Sequence, residues 1–140
     1  MCRGNTFRSL ALAVLLQKIL GGKCVVESAG THAEAAGKNP DFLSIRCLKE
    51  QGIVIDDNHK GRWINQIDLS QFSHIVCVDR GTRHYVENLL GREVRTVVVV
   101  ANEEHGGIPL LPGAKGEEYK KCIELLERIT PEIAEKIRKG

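Results

Sequence analysis

Residues 2–9 read Cys-Arg-Gly-Asn-Thr-Phe-Arg-Ser, a cysteine followed six positions later by an arginine and then a hydroxyl, directly ahead of an apolar helical run. A loop that closes on a helix N-terminus is an anion cradle, because its backbone N–H groups and the helix dipole both favour a phosphate-like group. Gly4 allows the tight turn, and Arg8 offers a planar fork for two phosphate oxygens. A positive environment of this kind favours the thiolate form of a cysteine, so Cys2 is the candidate nucleophile for in-line attack on a bound phosphorus. Arg3, Gly4, Asn5, Thr6 and Phe7 are the candidate loop.

The elements that must position this loop follow from periodicity. Leu10, Val14, Leu15 and Ile19 recur at helical spacing from Ser9 to Leu20, and Gly21-Gly22 stop the helix. Cys24–Ser28 reads as a short strand. A second helix fits Pro40–Gln51, carrying Phe42, Ile45 and Leu48, and Ile53–Ile55 reads as an edge segment. His74–Val78 and Val94–Val100 are near-continuous apolar runs suited to strands covered on both faces, with a helix over Thr82–Leu90 between them. After a Gly/Pro-rich loop from Asn102 to Gly116, helical spacing from Tyr119 reaches the C-terminus, with Pro131 expected to kink or split that helix. Alternating strands and helices in 140 residues imply one small three-layer α/β domain, residues 1–140, with a parallel sheet and a ligand site at the strand C-terminal ends.

Composition removes several classes of function. Twenty Lys plus Arg against eighteen Asp plus Glu are interleaved along the chain, unlike the basic tract of a nucleic-acid binder. The longest apolar run, Val97–Ala101, is far short of the ~20 residues of a membrane helix, and the expectation is a soluble, cytoplasmic protein. Five cysteines, at 2, 24, 47, 77 and 122, form no CxxC pair, which argues against a disulfide framework and a tetrahedral zinc site. Cys24, Cys47 and Cys122 sit on apolar faces and read as core.

The loop resembles that of the low-molecular-weight protein tyrosine phosphatase family, whose fold is shared by arsenate reductases and protein arginine phosphatases. Glu-Ser-Ala-Gly-Thr at 27–31, Ile-Val-Cys-Val-Asp at 75–79, and Ile108-Pro109 followed by Glu117-Glu118-Tyr119 carry the likeness along nearly the whole chain. The resemblance implies that Cys2 is the nucleophile, Arg8 the phosphate binder, Ser9 the hydroxyl that bonds the thiolate and Asn5 the brace of the loop. It implies a phosphorylated protein substrate and no metal or cofactor. Arg62, in His-Lys-Gly-Arg, is similar to a structural brace, and Asp79 to a third-strand Asp that is equally a turn or helix-cap residue. Trp63 reads as a partly buried packing residue beside the cleft.

Several positions depart from the family pattern. The general-acid Asp-Pro falls on Leu110-Leu111, so a slow enzyme is expected, with Glu103, Glu104 or His105 available in the same loop. Glu34 and Pro112 stand where aromatic residues border the pocket, leaving a phenyl ring little to stack on. Thr6 resembles the arginine phosphatase branch, and with Glu34 it would suit a cationic substrate; the plainer reading is a packing residue. Phe7 replaces a second loop cysteine, and Cys77 reads as a buried strand residue, which disfavours reductase chemistry. A non-catalytic phosphate-binding or phosphoprotein-binding module is the alternative function.

The family's sheet order is 2-1-3-4, and its first, central strand should run into Cys2, where this chain has only Met1. The expectation is a chain that begins one strand late, or else a rearranged or homodimeric sheet.

Overall fold

The computed structural model describes residues 1–2, 4–5, 7–56, 58–91, 95–110 and 114–139. Two β-branched runs, His74–Cys77 (β1) and Val97–Val100 (β2), form a parallel pair in the register His74↔Val97 to Cys77↔Val100. Val94, the expected start of β2, lies outside the described residues. Four helices surround the pair: Arg8–Leu20 (α1), Phe42–Glu50 (α2), Arg80–Leu90 (α3) and Gly116–Lys139 (α4).

Alternation along the strands builds two cores. Ile75, Cys77 and Val100 pack with Val86 of α3, while Val76, Val78 and Ala101 pack with α1, α2 and α4 on the opposite face. The result is the expected small α/β domain with a parallel sheet between helical layers.

The regular sheet is smaller than four strands. Two isolated parallel bridges, Cys2↔Gly30 and Gly30↔Trp63, replace the ladders expected further out. The Met1 amino group donates to the Val76 carbonyl at 2.7 Å, and Val78 N–H donates to the Met1 carbonyl at 3.0 Å. The spatial order therefore still reads 2-1-3-4, with Met1–Cys2 in the central place. Residues 24–28 form no regular strand because α1 satisfies their backbone instead: Gln17 Nε2 donates to the Cys24 carbonyl, and Val26 N–H donates to Gln17 Oε1. Ile53 and Ile55 are buried and Val54 is exposed, an alternation without pairing.

Helix boundaries moved for identifiable reasons. The buried stripe of α1 is Leu10, Leu12, Leu16 and Leu20, with Val14, Leu15 and Ile19 only partly covered. Asp41, not Pro40, immediately precedes α2, and Phe42 is 79% exposed while Ser44, Cys47 and Leu48 face inward. The Asp79 side chain accepts from Thr82 N–H and caps α3 two residues earlier than expected. Pro131 lies inside α4 without splitting it into two elements. Pro131 and Glu127, whose carbonyl loses its partner there, are both exposed to water, and Ile129, Thr130, Ile133 and Ala134 are buried. No helix among the described residues is long and apolar enough to cross a membrane.

The loop after β2 returns to β1 through an antiparallel Asp79↔Gly107 bridge. Gly107 has φ +116°, and a Cβ there would lie 2.4 Å from the Val78 carbonyl oxygen and 2.7 Å from Asp79 Cα. Both conformation and space demand glycine. Gly107→Ala is expected to lower unfolding free energy in urea titrations by about 2–4 kcal/mol. An unchanged midpoint would show that the loop adapts freely.

Candidate active site

The loop begins where the central place of the sheet ends. Cys2 N–H donates to the Ala29 carbonyl at 3.3 Å and Thr31 N–H donates to the Cys2 carbonyl at 2.9 Å, so Cys2 is held from one side while Met1 is held by β1 from the other. The backbone then turns into α1, whose first residue is Arg8. Arg3 and Thr6 lie outside the described residues, and so do the roles expected of them.

Around the sulfur the geometry is closed. Asn5 N–H donates to Cys2 Sγ at 3.2 Å, and Ser9 Oγ stands 3.0 Å from the same sulfur. The Cys2 thiol donates to Ser9 Oγ; in a thiolate the same hydroxyl would turn to donate alongside the amide. Asn5 is fully buried with φ +53°, the left-handed region that Asn tolerates better than other non-glycine residues. Its Nδ2 donates to Ser9 Oγ at 2.8 Å and its Oδ1 accepts from Arg62 N–H at 3.0 Å. The brace from Arg62 is thus a backbone group; its guanidinium pairs with Glu27 at 3.1 Å on the surface. His59 also contacts the Asn5 backbone, and burial pushes its imidazole below the usual value against the opposing effect of that hydrogen bond. Sequence reasoning passed over His59, although the His-x-x-Arg spacing carried the signal.

Phe7 points away from the loop surface into the core. Its ring meets Tyr119 of α4 edge to face, with centroids 4.6 Å apart. The Tyr119 hydroxyl donates to Asp41 Oδ2 at 3.1 Å, which ties loop, α4 and the start of α2 together.

Arg8 Nη1 donates to the Ile108 carbonyl at 2.9 Å and to Asp79 Oδ2 at 3.3 Å. Burial alone would raise the Asp79 carboxyl, but two hydrogen bonds from Thr82 and the Arg8 guanidinium outweigh it and hold the group below its ordinary value. Asp79 is therefore an ionised clamp for Arg8 as well as the cap of α3, joining both sequence readings of this residue.

A cleft of about 530 Å³ opens beside Arg8, lined among others by Thr31, His32, Asp79, Tyr85, His105 and Ile108. The His32 and Tyr85 rings lie 5.1 Å apart at 54°. Two aromatic residues thus line the cleft, both outside positions 34 and 112, where the family pattern places its aromatic residues. Glu34 sits exposed in the turn Ala33–Ala35 and is not among the residues lining this cleft. Leu110 lines it, whereas Leu111 and Pro112 lie outside the described residues. Of the acid-loop candidates, Glu103 pairs with Arg83 at 2.9 Å and only His105 lines the cleft.

The other cysteines are packing residues. Burial pushes the thiols of Cys77 and Cys122 up to about 11, Cys47 is buried, and Cys24 is half-buried against the α1 core. Trp63 is half-buried, and its Nε1 donates to the Thr31 carbonyl at 3.3 Å. No group of three or more His, Cys, Asp or Glu side chains among the described residues is arranged to hold a metal.

The fold has close relatives. The protein tyrosine phosphatase from Entamoeba histolytica superposes with a TM-score of 0.88 at 19% identity, covering 99% of this chain and 94% of that one. The YwlE arginine phosphatase from Geobacillus stearothermophilus gives 0.78 at 24% identity over 99% and 90%, and Vibrio vulnificus Wzb, solved with benzylphosphonate, gives 0.79 at 24% over 96% and 94%. The chicken and human low-molecular-weight phosphotyrosine protein phosphatases are each 30% identical over 84 residues, a match spanning 56% of this chain and only about half, 52%, of theirs. The family model described as low molecular weight phosphotyrosine protein phosphatase matches residues 1–140, and the chain belongs to that family.

Proposed function

We propose that this protein is a cysteine-dependent protein phosphatase. The observation that carries the reading is the Cys2 sulfur ahead of α1, met by Asn5 N–H and Ser9 Oγ, with Arg8 of the first turn of α1 held by Asp79 and Ile108. The thiolate attacks the phosphorus of a bound phosphorylated side chain, and the bond from phosphorus to the leaving atom breaks. Water then attacks the phosphocysteine, releasing inorganic phosphate and returning the electron pair to sulfur. Arg8, loop amides and the α1 dipole stabilise the oxygens throughout. The chemistry asks for no metal or cofactor, and the macromolecular partner is the phosphorylated substrate.

Protonation of the leaving group is the weak step. By the family pattern the general-acid position falls on Leu110, which lines the cleft with His105, so the proposal has the leaving atom take its proton from water or from His105, at a cost of roughly 10²- to 10⁴-fold in rate. Asp79, held ionised, is unsuited to that task. The paired rings of His32 and Tyr85 favour phosphotyrosine over phosphoarginine, since they offer an aromatic wall to a substrate ring. The reading that Thr6 and Glu34 select a guanidinium finds less support, because Glu34 is outside the cleft lining.

Three measurements test this account. An aryl phosphate whose leaving group needs no acid should be turned over readily, Cys2→Ser should abolish turnover, and acid quench should trap one phosphoryl group on the peptide carrying Cys2. Anion binding without turnover of that substrate would make the protein a phosphate-binding module instead. Tyr85→Ala is expected to raise KM for a phosphotyrosyl peptide about 5- to 10-fold with kcat little changed, and to leave a small alkyl phosphate unaffected; equal losses on both would remove the aromatic wall. Asn5→Ala should cost about 2–3 kcal/mol of unfolding free energy in urea and reduce kcat, because two buried side-chain hydrogen bonds and the left-handed residue are lost together. Full activity in that variant would show that the loop needs no brace.

A further inference from the structure

The end of α1 that carries Arg8 and Ser9 is opened by an unusual residue. Helices are ordinarily opened by Ser, Thr, Asp or Asn, whose side-chain oxygen takes a first-turn N–H and so fixes where the helix starts. Phe7 holds that place here. Its carbonyl accepts the first helical bond, from Ala11 N–H at 2.9 Å, but its side chain makes no capping bond. Arg8 and Ser9 are the next two residues, so the setting of Phe7 decides where the guanidinium and the hydroxyl leave the helix.

Packing takes over the task of the cap. The Phe7 side chain is buried, and its ring meets that of Tyr119 edge to face, with centroids 4.6 Å apart and planes at 62°. Tyr119 is itself held at both ends. Its backbone lies in the first turn of α4, where its N–H donates to the Lys115 carbonyl at 3.1 Å, and its hydroxyl donates to Asp41 Oδ2 at 3.1 Å. The same carboxylate oxygen accepts from Ser44 Oγ at 3.2 Å, and Ser44 is buried in α2. A flat ring anchored at its backbone and bonded at its hydroxyl is a stiff support for the residue packed on it.

We propose that Tyr119 is a positioning residue of the phosphatase reaction: through Phe7 it holds the start of α1 where Arg8 and Ser9 meet the transferring phosphoryl group, an inference that rests on the phosphatase reading above. A misplacement of about 1 Å at a reacting group costs about 10²-fold in rate. Tyr119 is not among the residues lining the cleft, and the His32 and Tyr85 rings that would meet the substrate lie on other elements. Loss of the support therefore falls on kcat and spares KM.

The test compares kcat and KM of full-chain variants, well below their thermal midpoints, on an aryl phosphate with a good leaving group and on a phosphotyrosyl peptide. Tyr119→Leu should lower kcat about 10- to 100-fold on both, with KM within about twofold. Tyr119→Phe keeps the ring and should stay within about threefold of the unaltered protein. Phe7→Leu should match Tyr119→Leu, and the double variant should lose no more than either alone, because both remove one contact; should Tyr119→Leu fail to fold, Phe7→Leu against Tyr119→Phe carries the same comparison. Ile129→Val, elsewhere on the buried side of α4, should lower the thermal midpoint and leave kcat unchanged. Undiminished kcat in Tyr119→Leu or Phe7→Leu, additive losses in the double variant, or an equal loss in Ile129→Val would overturn the positioning role while leaving the protein a phosphatase. An unaltered protein that turns over neither substrate would overturn the phosphatase reading itself, and the role of Tyr119 with it.

Discussion

The whole site hangs on two residues of backbone. Met1 and Cys2 are gripped from one side by β1 and from the other by residues 29–31, and this grip sets where the sulfur lies relative to the N-terminus of α1. Everything that tunes the sulfur is reached from there. Asn5 and Ser9 converge on it from the loop and the first turn of α1, and Arg62 and His59 fix Asn5 from behind. Arg8 is fixed from another direction, through Asp79 at the end of β1 and Ile108 after the Gly107 crossing.

This arrangement separates binding from proton transfer. On the proposed reading the oxyanion is held by loop amides, Ser9 and Arg8, whereas the loop after β2 presents Leu110 and His105 to the cleft. Under that proposal the site stabilises a phosphoryl group and depends on the leaving group's own acidity for speed. The clamp on Arg8 has a pH direction. Because Asp79 is held below its ordinary value, its contribution is present above the unfolded carboxylate range and is lost as pH falls through the folded value.

Much of this was legible in the chain. The Cys-x5-Arg-Ser spacing ahead of an apolar helix points to Cys2, Arg8 and Ser9; the structure sets Ser9 Oγ 3.0 Å from Cys2 Sγ and turns Arg8 onto Asp79 and the Ile108 carbonyl. The His74–Cys77 and Val97–Val100 runs read directly as parallel strands, but the expected cover on both faces fails for β2, where Val97 is exposed, Val98 and Val99 are half-buried and only Val100 is buried. Other features depended on tertiary partners that sequence does not display. Residues 24–28 have strand composition, yet Gln17 takes their backbone groups; Pro131 should break a helix, yet its neighbour carbonyl is solvated and the surrounding residues are locked in the core. His32 and Tyr85 are far apart in sequence, and only the fold makes them a wall of the same cleft.

The most direct test of the central claim is a crystal structure of the full chain with vanadate, a phosphate analogue that bonds to thiolates. The account predicts vanadium bonded to Cys2 Sγ, its oxygens held by loop amides and the Arg8 guanidinium, with one axial position opening towards His32 and Tyr85. Vanadate seated elsewhere, with Cys2 Sγ still enclosed by Ser9 and Asn5 and unbonded to the metal, would contradict it.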